Sequence, residues 1–389
     1  MANVLLGSAN GAATTSSGVA RPESAKGVAE PASASRSKMA KRAHDPERLF
    51  DLDLVRCTEN GALAAWKWIG KGNKNAADYD ASDAIRGMFN LIDCQGIVRI
   101  GEGIKDEAPG IFMGEKLGSW KPGSPAVAIA VDPIDGTTPL AKGLNGSISV
   151  LAVATCDDPS QDPRDLFPNV PSHYMQKLAV GPRVVSSGVP VELDGPLEVN
   201  LKIIADALGK RVSDLVAVVL DRPRHEQIIR SLRAADCGIR LIPDGDVAAA
   251  IAPCLPNSGV DLYLGMGGSP EAVLASAAIK CLGGQLLSRM APRDDAERLR
   301  LIEDHGCRPE DIAKIWTVSE MAKGEHIIFV ATGISDSPML RGIRYEDHSC
   351  TTDSLLIRAR HRTLRRIEAH HDIAHKTIRL ASSGGEAAL

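Results

Sequence analysis

The run AVAIAVDPIDGTTPLAKG, residues 126–143, sets an unbroken apolar stretch directly against two carboxylates. Ala126 to Val131 are all small and aliphatic, as in a strand buried on both faces. Asp132, Pro133, Ile134, Asp135, Gly136 and Thr137 follow at once. Pro133 fixes its own φ and supplies no N–H, and Gly136 permits a φ that a side chain would forbid. The expectation is a strand over 126–132 that ends in a bent turn aiming Asp132 and Asp135 at one place. Two carboxylates held close repel unless something positive sits between them. Taken alone, these residues also read as an Asx-type turn with solvated acids.

Working outward, the chain alternates. Apolar positions in RLFDLDLVRCTENGALAAWKWIG fall at helical spacing. A second helix is expected over DASDAIRGMFNLI, where Ile85, Met88, Phe89 and Ile92 share one face, with Asp78 in the loop before it. GIVRIGEG (96–103), AVAIAVD (126–132) and SISVLAVAT (147–155) read as strands, and 157–171 as a Pro/Asp-rich loop. Three strand–loop–helix units then follow, beginning at DLVAVVL (214–220), GIRLI (238–242) and VDLYLG (260–265). HIIFVATG (326–333) and SLLIRAR (354–360) add strands. Such alternation predicts an α/β fold with a parallel or mixed sheet, ligands binding at the carboxyl ends of its strands. The 389 residues suffice for two domains, expected at 46–195 and 196–380.

Composition excludes several classes. The chain is 44% hydrophobic but only 3% aromatic, so its core must be built from Ala, Val, Ile and Leu. A net charge of −4 and few aromatic residues are a poor match to a nucleic-acid binder. No apolar run approaches the ~20 residues that span a bilayer, so no membrane partner is expected. The eight cysteines form no C-x-x-C pair and read as reduced core residues of a cytoplasmic protein. Residues 1–45 differ: they are rich in Ala, Ser and Gly and cannot bury a core, so a disordered extension is expected. A plastid transit peptide, a bacterial extension and a true start at Met39 are the readings this segment leaves open.

The chemistry-bearing acids Asp78, Glu102, Asp132, Asp135 and Glu271 each lie beside an apolar element near Gly or Pro. Five carboxylates without paired His or Cys ligands suit hard, oxygen-liganded cations, Mn²⁺ or Mg²⁺ rather than Zn²⁺. Two or three such ions would neutralise the cluster. DRPRH offers two guanidiniums that fork onto phosphate, and MGGSPE offers backbone N–H groups at a helix start. Acids for metal with arginines for phosphate describe metal-assisted phosphoester chemistry. No G-x-x-x-x-G-K-[ST] run is present, which argues against a P-loop NTPase.

The motif D-P-I-D-G-T resembles the metal-binding signature of the lithium-sensitive phosphatase superfamily, which includes inositol monophosphatases and fructose-1,6-bisphosphatases. With GIVRIGEGIKDEAP, MQKLAVGP, RPRH, IPDGDVAAAI, GMGGSPEAVLASAAIKCLGG and TTDSLLIR in order, the match over about residues 50–367 is to class II fructose-1,6-bisphosphatase. That family includes cyanobacterial enzymes also acting on sedoheptulose 1,7-bisphosphate. The resemblance implies a two-domain fold of alternating helix and sheet layers. It implies metal-dependent hydrolysis of the 1-phosphate of fructose 1,6-bisphosphate, within gluconeogenesis or the Calvin cycle, by a homo-oligomer. Metal ligands would fall on Asp78, Glu102, Asp132, Asp135 and Glu271. Substrate contacts would fall on Asp135, Gly136, Thr137, Tyr174, Arg222, Pro223, Arg224, Asp244, Gly245, Asp246 and Gly268. Catalytic roles would fall on Glu102 and Thr137, which orient the attacking water by analogy, and on Lys74 and Asp106. Asp135 stands where many members carry Glu, and Arg222 where others carry Lys.

Other readings compete. One is an inositol- or nucleotide-phosphate phosphatase of the same superfamily, and another a metal-dependent binding protein without catalysis. His371 and His375 have a spacing that can hold a metal on a helix, but a solvated tail is the expectation. The five arginines from Arg358 to Arg366 read as a solvated surface or subunit contact, with an allosteric anion site as the alternative.

Overall fold

The structure, a computed structural model, describes residues 46–101, 110–156, 161–382 and 386–388. The expected extension 1–45 therefore lies outside the described residues, as do Glu102, Asp106 and part of the Pro/Asp-rich loop. Two helices open the described chain, α1 (Pro46–Trp66) and α2 (Lys74–Phe89). Helix α2 begins earlier than its apolar periodicity suggests. Asn73 caps it, its side chain accepting from the Ala76 N–H, so Asp78 sits in the helix and not in a preceding loop.

Eight strands make the larger sheet: β1 (Gln95–Ile100), β2 (Lys116–Leu117), β3 (Ala126–Asp135), β4 (Ile148–Thr155) and four more near the end of the chain. Between them, β5 (Tyr174–Val180), β6 (Val216–Leu220), β7 (Gly238–Ile242), β8 (Leu262–Gly268) and β9 (Gln285–Met290) form a second sheet ordered β7-β6-β8-β5-β9. There β7, β6 and β8 run parallel, as the three strand–loop–helix units predict, while β5 adds antiparallel contacts to β8 and β9. The sheet is mixed. The chain then returns to the larger sheet through β10 (His326–Gly333), β11 (Arg344–Glu346), β12 (Ser349–Arg358) and β13 (Thr363–Asp372). The basic stretch after Arg358 is therefore mostly strand, paired along its length with β12, and His371 lies on it rather than on a helix.

Shorter helices connect these strands: α3 (Thr137–Lys142), α4 (Leu197–Leu208), α5 (Glu226–Ala234), α6 (Asp246–Ile251) and α7 (Ser269–Leu282). The buried clusters fix the layers. Phe50, Leu54, Ile85 and Phe89 of α1 and α2 pack on Val127, Ile129, Val131 and Leu151 of the larger sheet. Its other face, with Ala128, Ala130, Ala152 and Phe329, meets α6 and α7, which also touch Met175, Ala179, Val218 and Tyr263 of the second sheet. Beyond that sheet, Leu201 and Ile204 of α4 and Ile229 and Leu232 of α5 cover Leu178, Val219 and Leu262. Helix and sheet thus alternate in an α/β fold of two sheets. Helix α7, between the sheets, is apolar almost all round, as its burial requires.

All eight cysteines are free. No helix of the described residues is long and apolar enough to cross a membrane.

Near its end the chain lays β14 (Thr377–Arg379) on α2. Ile378 is buried beside Ala77, Ala81 and Ala84, and the Asp83 carboxylate accepts from the Ser382 N–H and hydroxyl. Gly87 makes this approach possible, since a Cβ there would stand 2.2 Å from the Arg379 carbonyl oxygen. Gly87→Ala is expected to cost about 1–3 kcal/mol through overpacking. It should also open the segment after Asp372 to limited proteolysis, while wild type resists cleavage there.

Candidate active site

The strand containing DPID does not stop at Asp132. β3 continues to Asp135, and the register against β4 shifts between these residues, from Asp132 opposite Val150 to Asp135 opposite Ile148. One extra residue is accommodated, a β-bulge, which is where a proline without an N–H can sit inside a sheet. The turn expected after residue 132 is a kinked strand end. Asp132 Oδ1 accepts from the Ile134 N–H at 2.9 Å, and Gly136, with φ of 95°, starts α3. A Cβ at Gly136 would lie 2.9 Å from the Gly146 carbonyl oxygen.

A cavity of about 250 Å³ opens here. From the larger sheet it takes Asp132, Asp135, Gly136 and Thr137; from the second, Tyr174, Arg222 and Arg224. Asp244, Gly245 and Asp246 at the head of α6, and Gly268 and Glu271 at the head of α7, complete the wall. Twelve of the residues expected from the sequence thus line one cavity. Gly267 of the MGGSPE run lines it too, as do Ile134 and Leu220, to which the sequence assigns no role. Pro223, Lys74 and Asp78 do not. Pro223 shapes the turn between the two arginines, and Lys74 Nζ donates to Thr138 Oγ1 at 2.7 Å.

The two arginines are held by different partners. Arg224 lies over the Tyr174 ring, 4.7 Å from its centroid, and donates through Nε and Nη2 to the Met266 carbonyl. Arg222 Nη2 stands 3.7 Å from Asp244 Oδ1. Buried His225 pins their turn to β8. Its Nε2 accepts from the Met266 N–H at 2.8 Å, so Nδ1 carries the proton and donates to the Leu220 carbonyl at 2.7 Å. Burial lowers its pKa, which keeps the ring neutral. The run RPRH carried this residue in plain view, but no sequence rule distinguishes a bracketing histidine from a catalytic one.

Gly267 and Gly268 serve the carboxylates more than the backbone. A Cβ on Gly267 would fall 1.7 Å from Asp246 Oδ2, and one on Gly268 would fall 1.8 Å from Glu271 Oε2. The strand gives up two side chains so that two acids can occupy their space.

The acids are desolvated. Burial, then the charges of Asp246 and Glu271, push the Asp135 carboxyl well above the usual carboxylate range, although the Ala248 N–H donates to it. Burial, then Asp246, raises Glu271 to about 7, and burial raises Asp78 to about 7. Asp78 Oδ1 and Glu271 Oε2 are buried without a hydrogen-bond partner. Buried, unpartnered, all-oxygen donors fit the chemistry of a hard divalent cation. Among the described residues no three His, Cys, Asp or Glu side chains are drawn together closely enough to hold an ion. Glu102, expected as a fifth ligand, lies outside them.

The bacterial fructose-1,6-bisphosphatase family, glpX-encoded, matches residues 48–371. Fructose-1,6-bisphosphatase 1 class 2 of Escherichia coli K12 is 39% identical over 338 residues, 85% of this chain and 97% of that protein. The class 2 fructose-1,6-bisphosphatases of Escherichia coli O6:H1 and Shigella flexneri match with the same figures. Fold, site and kinship define a phosphatase, a hydrolase acting in carbohydrate metabolism. The chain belongs to the glpX-encoded bacterial fructose-1,6-bisphosphatase family.

A carboxyl whose folded pKa exceeds its unfolded value stabilises the fold at low pH and loses that contribution as pH rises through the folded pKa. For Glu271 the window runs from about 4.5 to about 7. Thermal unfolding with a chelator present should therefore show stability falling across this window. Glu271→Gln should flatten the fall, and an unchanged slope would show that Glu271 carries none of it.

Proposed function

We propose that the chain hydrolyses the 1-phosphate of fructose 1,6-bisphosphate, releasing fructose 6-phosphate and phosphate, with sedoheptulose 1,7-bisphosphate as a second substrate. The observation that carries this reading is one cavity lined both by carboxylates, Asp132, Asp135, Asp244, Asp246 and Glu271, and by two arginines, Arg222 and Arg224. A substrate with phosphates at both ends of a polyhydroxyl chain matches that mixed lining.

Asp78, Asp132, Asp135 and Glu271, with Glu102, would hold Mn²⁺ or Mg²⁺. Bound there, such ions supply Lewis-acid polarisation of a phosphoryl oxygen and a water acidic enough to ionise near neutral pH. The chain's own residues do the rest. Arg222 and Arg224 hold the distal phosphate, their turn fixed by His225 and the guanidinium of Arg224 stacked on Tyr174. Asp244 and Asp246 accept from sugar hydroxyls. Asp244 also accepts from the Thr138 N–H at 3.3 Å, which ties the sugar-binding wall to the first turn of α3. Thr137, one residue before, orients the attacking water with Glu102. Lys74, bonded to Thr138, steadies the same turn from α2.

The test is phosphate release from both bisphosphates, inositol monophosphate and a nucleoside monophosphate, with Mn²⁺, Mg²⁺ or EDTA. Turnover of a sugar bisphosphate with a divalent ion, abolished by EDTA, is expected. Asp132→Asn should lower kcat by about a hundredfold or more, since charge stabilisation by a metal site is worth several kcal/mol. Arg224→Met should raise KM about 10- to 100-fold, the worth of hydrogen bonds to a charged phosphate. Release from the inositol or nucleotide ester alone would move the assignment to another branch of phosphomonoesterases.

A further inference from the structure

Lys177 occupies an improbable position. It lies in the middle of β5, where the period of two puts it on the face of Met175 and Ala179, both in the apolar core between the sheets. Its side chain is fully buried. Among the described residues no other lysine and no arginine is buried. An ammonium there is tolerated only with a partner of excellent geometry.

The partner is Asp246 on the cavity wall. Lys177 Nζ donates to Asp246 Oδ2 at 2.6 Å, and the hydroxyl of Tyr263, also fully buried, donates to the same oxygen at 3.0 Å. Both bonds fall on Oδ2, and no described residue is hydrogen-bonded to Oδ1. The neighbouring strand makes room for this arrangement. Lys177 is paired in register with Gly265 on β8, and a Cβ at Gly267 would intrude on both partners, 1.7 Å from Asp246 Oδ2 and 3.1 Å from Lys177 Nζ. A pair kept merely to fill the core would need neither a cavity-lining carboxylate nor a missing side chain beside it.

We infer that Lys177, assisted by Tyr263, is a positioning residue for substrate recognition: it ties Asp246 by one oxygen and so presents the other, in one orientation, as a fixed acceptor for a sugar hydroxyl. The inference rests on the sugar-contact role given to Asp246 above. It assigns to two buried side chains on the second sheet a share of specificity that the cavity lining alone does not reveal.

The experiment is steady-state kinetics on fructose 1,6-bisphosphate for Asp246→Asn, Lys177→Met, Tyr263→Phe and the double variant Lys177→Met/Asp246→Asn, with melting curves for each. Loss of a charge-assisted contact should raise KM about 10- to 100-fold in Lys177→Met, and less in Tyr263→Phe. Loss of binding shared by ground and transition states should leave kcat within about threefold. The double variant should match Asp246→Asn, because the lysine acts only through that carboxylate. A folded Lys177→Met with wild-type KM would overturn the inference, as would single-variant effects that multiply in the double. Where Lys177→Met fails to fold, the double variant, which removes both charges, decides. A KM equal to that of Asp246→Asn supports the inference, and a further tenfold rise overturns it. If Asp246→Asn leaves KM unchanged, the sugar-contact role and this inference fall together, although the reaction stands. If wild type releases no phosphate from the bisphosphate, the substrate assignment has failed first.

Discussion

Mutual repulsion among buried carboxylates is the constraint from which the rest of this structure follows. Burial, and then the charges of Asp246 and Glu271, raise the affinity of Asp135 for protons, and burial, and then Asp246, do the same for Glu271. Such a cluster destabilises a fold unless charge is brought to it. The chain answers with its own groups first. The Ala248 N–H reaches Asp135, the Ile134 N–H reaches Asp132, and Lys177 reaches Asp246. Glu271 Oε2 is left without a hydrogen bond, which identifies where compensation from outside is still needed.

Holding the acids together is the task of the layers. Asp132 and Asp135 end a strand of the larger sheet, Asp246 opens α6, and Glu271 lies in the first turn of α7. All three elements meet in the core between the sheets, and the residues at that contact are small. Ala128, Ala130, Ala152 and Ala154 of the larger sheet meet Ala272, Ala275, Ala277 and Ala278 of α7. Alanine loses no side-chain entropy on burial and has no alternative rotamers, so the spacing it sets is both close and stiff. The scarcity of aromatic residues, at first a matter of composition, becomes a condition of the site. Larger side chains would hold α7 off the sheet and carry Glu271 away from Asp135.

Much of this was legible in the sequence, and the failures have physical causes. The three strand–loop–helix units were readable because continuous apolar runs ended in turn residues, and GIRLI and HIIFVATG match their strands residue for residue. Eleven of the twelve expected cavity-lining residues are, or stand beside, Gly or Pro in turns where strands and helices meet, and such turns converge in layered α/β folds; Tyr174 has no such neighbour and only the family resemblance implies it. The apolar pattern places the end of β3 at Asp132, three residues before its true end at Asp135, because proline normally ends a ladder and nothing local announces a bulge. Periodicity places Asp78 in a loop because apolar spacing begins only with the later turns of α2, whose first turns are Lys, Asn, Ala and Asp. Strand β13 was hidden by its arginines. It packs little, and its pairing with β12 supplies the order that its own side chains do not. The return of β10 and β12 to the larger sheet was illegible in principle, since which strands pair is settled by packing between distant segments.

Lys177 shows where a local rule broken is more informative than one obeyed. Within MQKLAV every second residue faces the core, so a lysine at 177 conflicts with its own strand pattern. Natural sequences are locally consistent, and exceptions survive where something else depends on them. Here the neighbouring strand also breaks its pattern, carrying glycines at 265, 267 and 268 where side chains would strengthen a sheet. The two violations explain each other. Gly267 and Gly268 vacate the space that Lys177, Asp246 and Glu271 occupy, Gly265 leaves room for the His225 ring, and the cavity gains acceptors that cannot turn away. A lysine without the glycines would clash, and glycines without the lysine would leave Asp246 buried and unmatched. Either defect alone is costly, so the two belong to one device, and that device lies under the part of the cavity wall that carries Asp246.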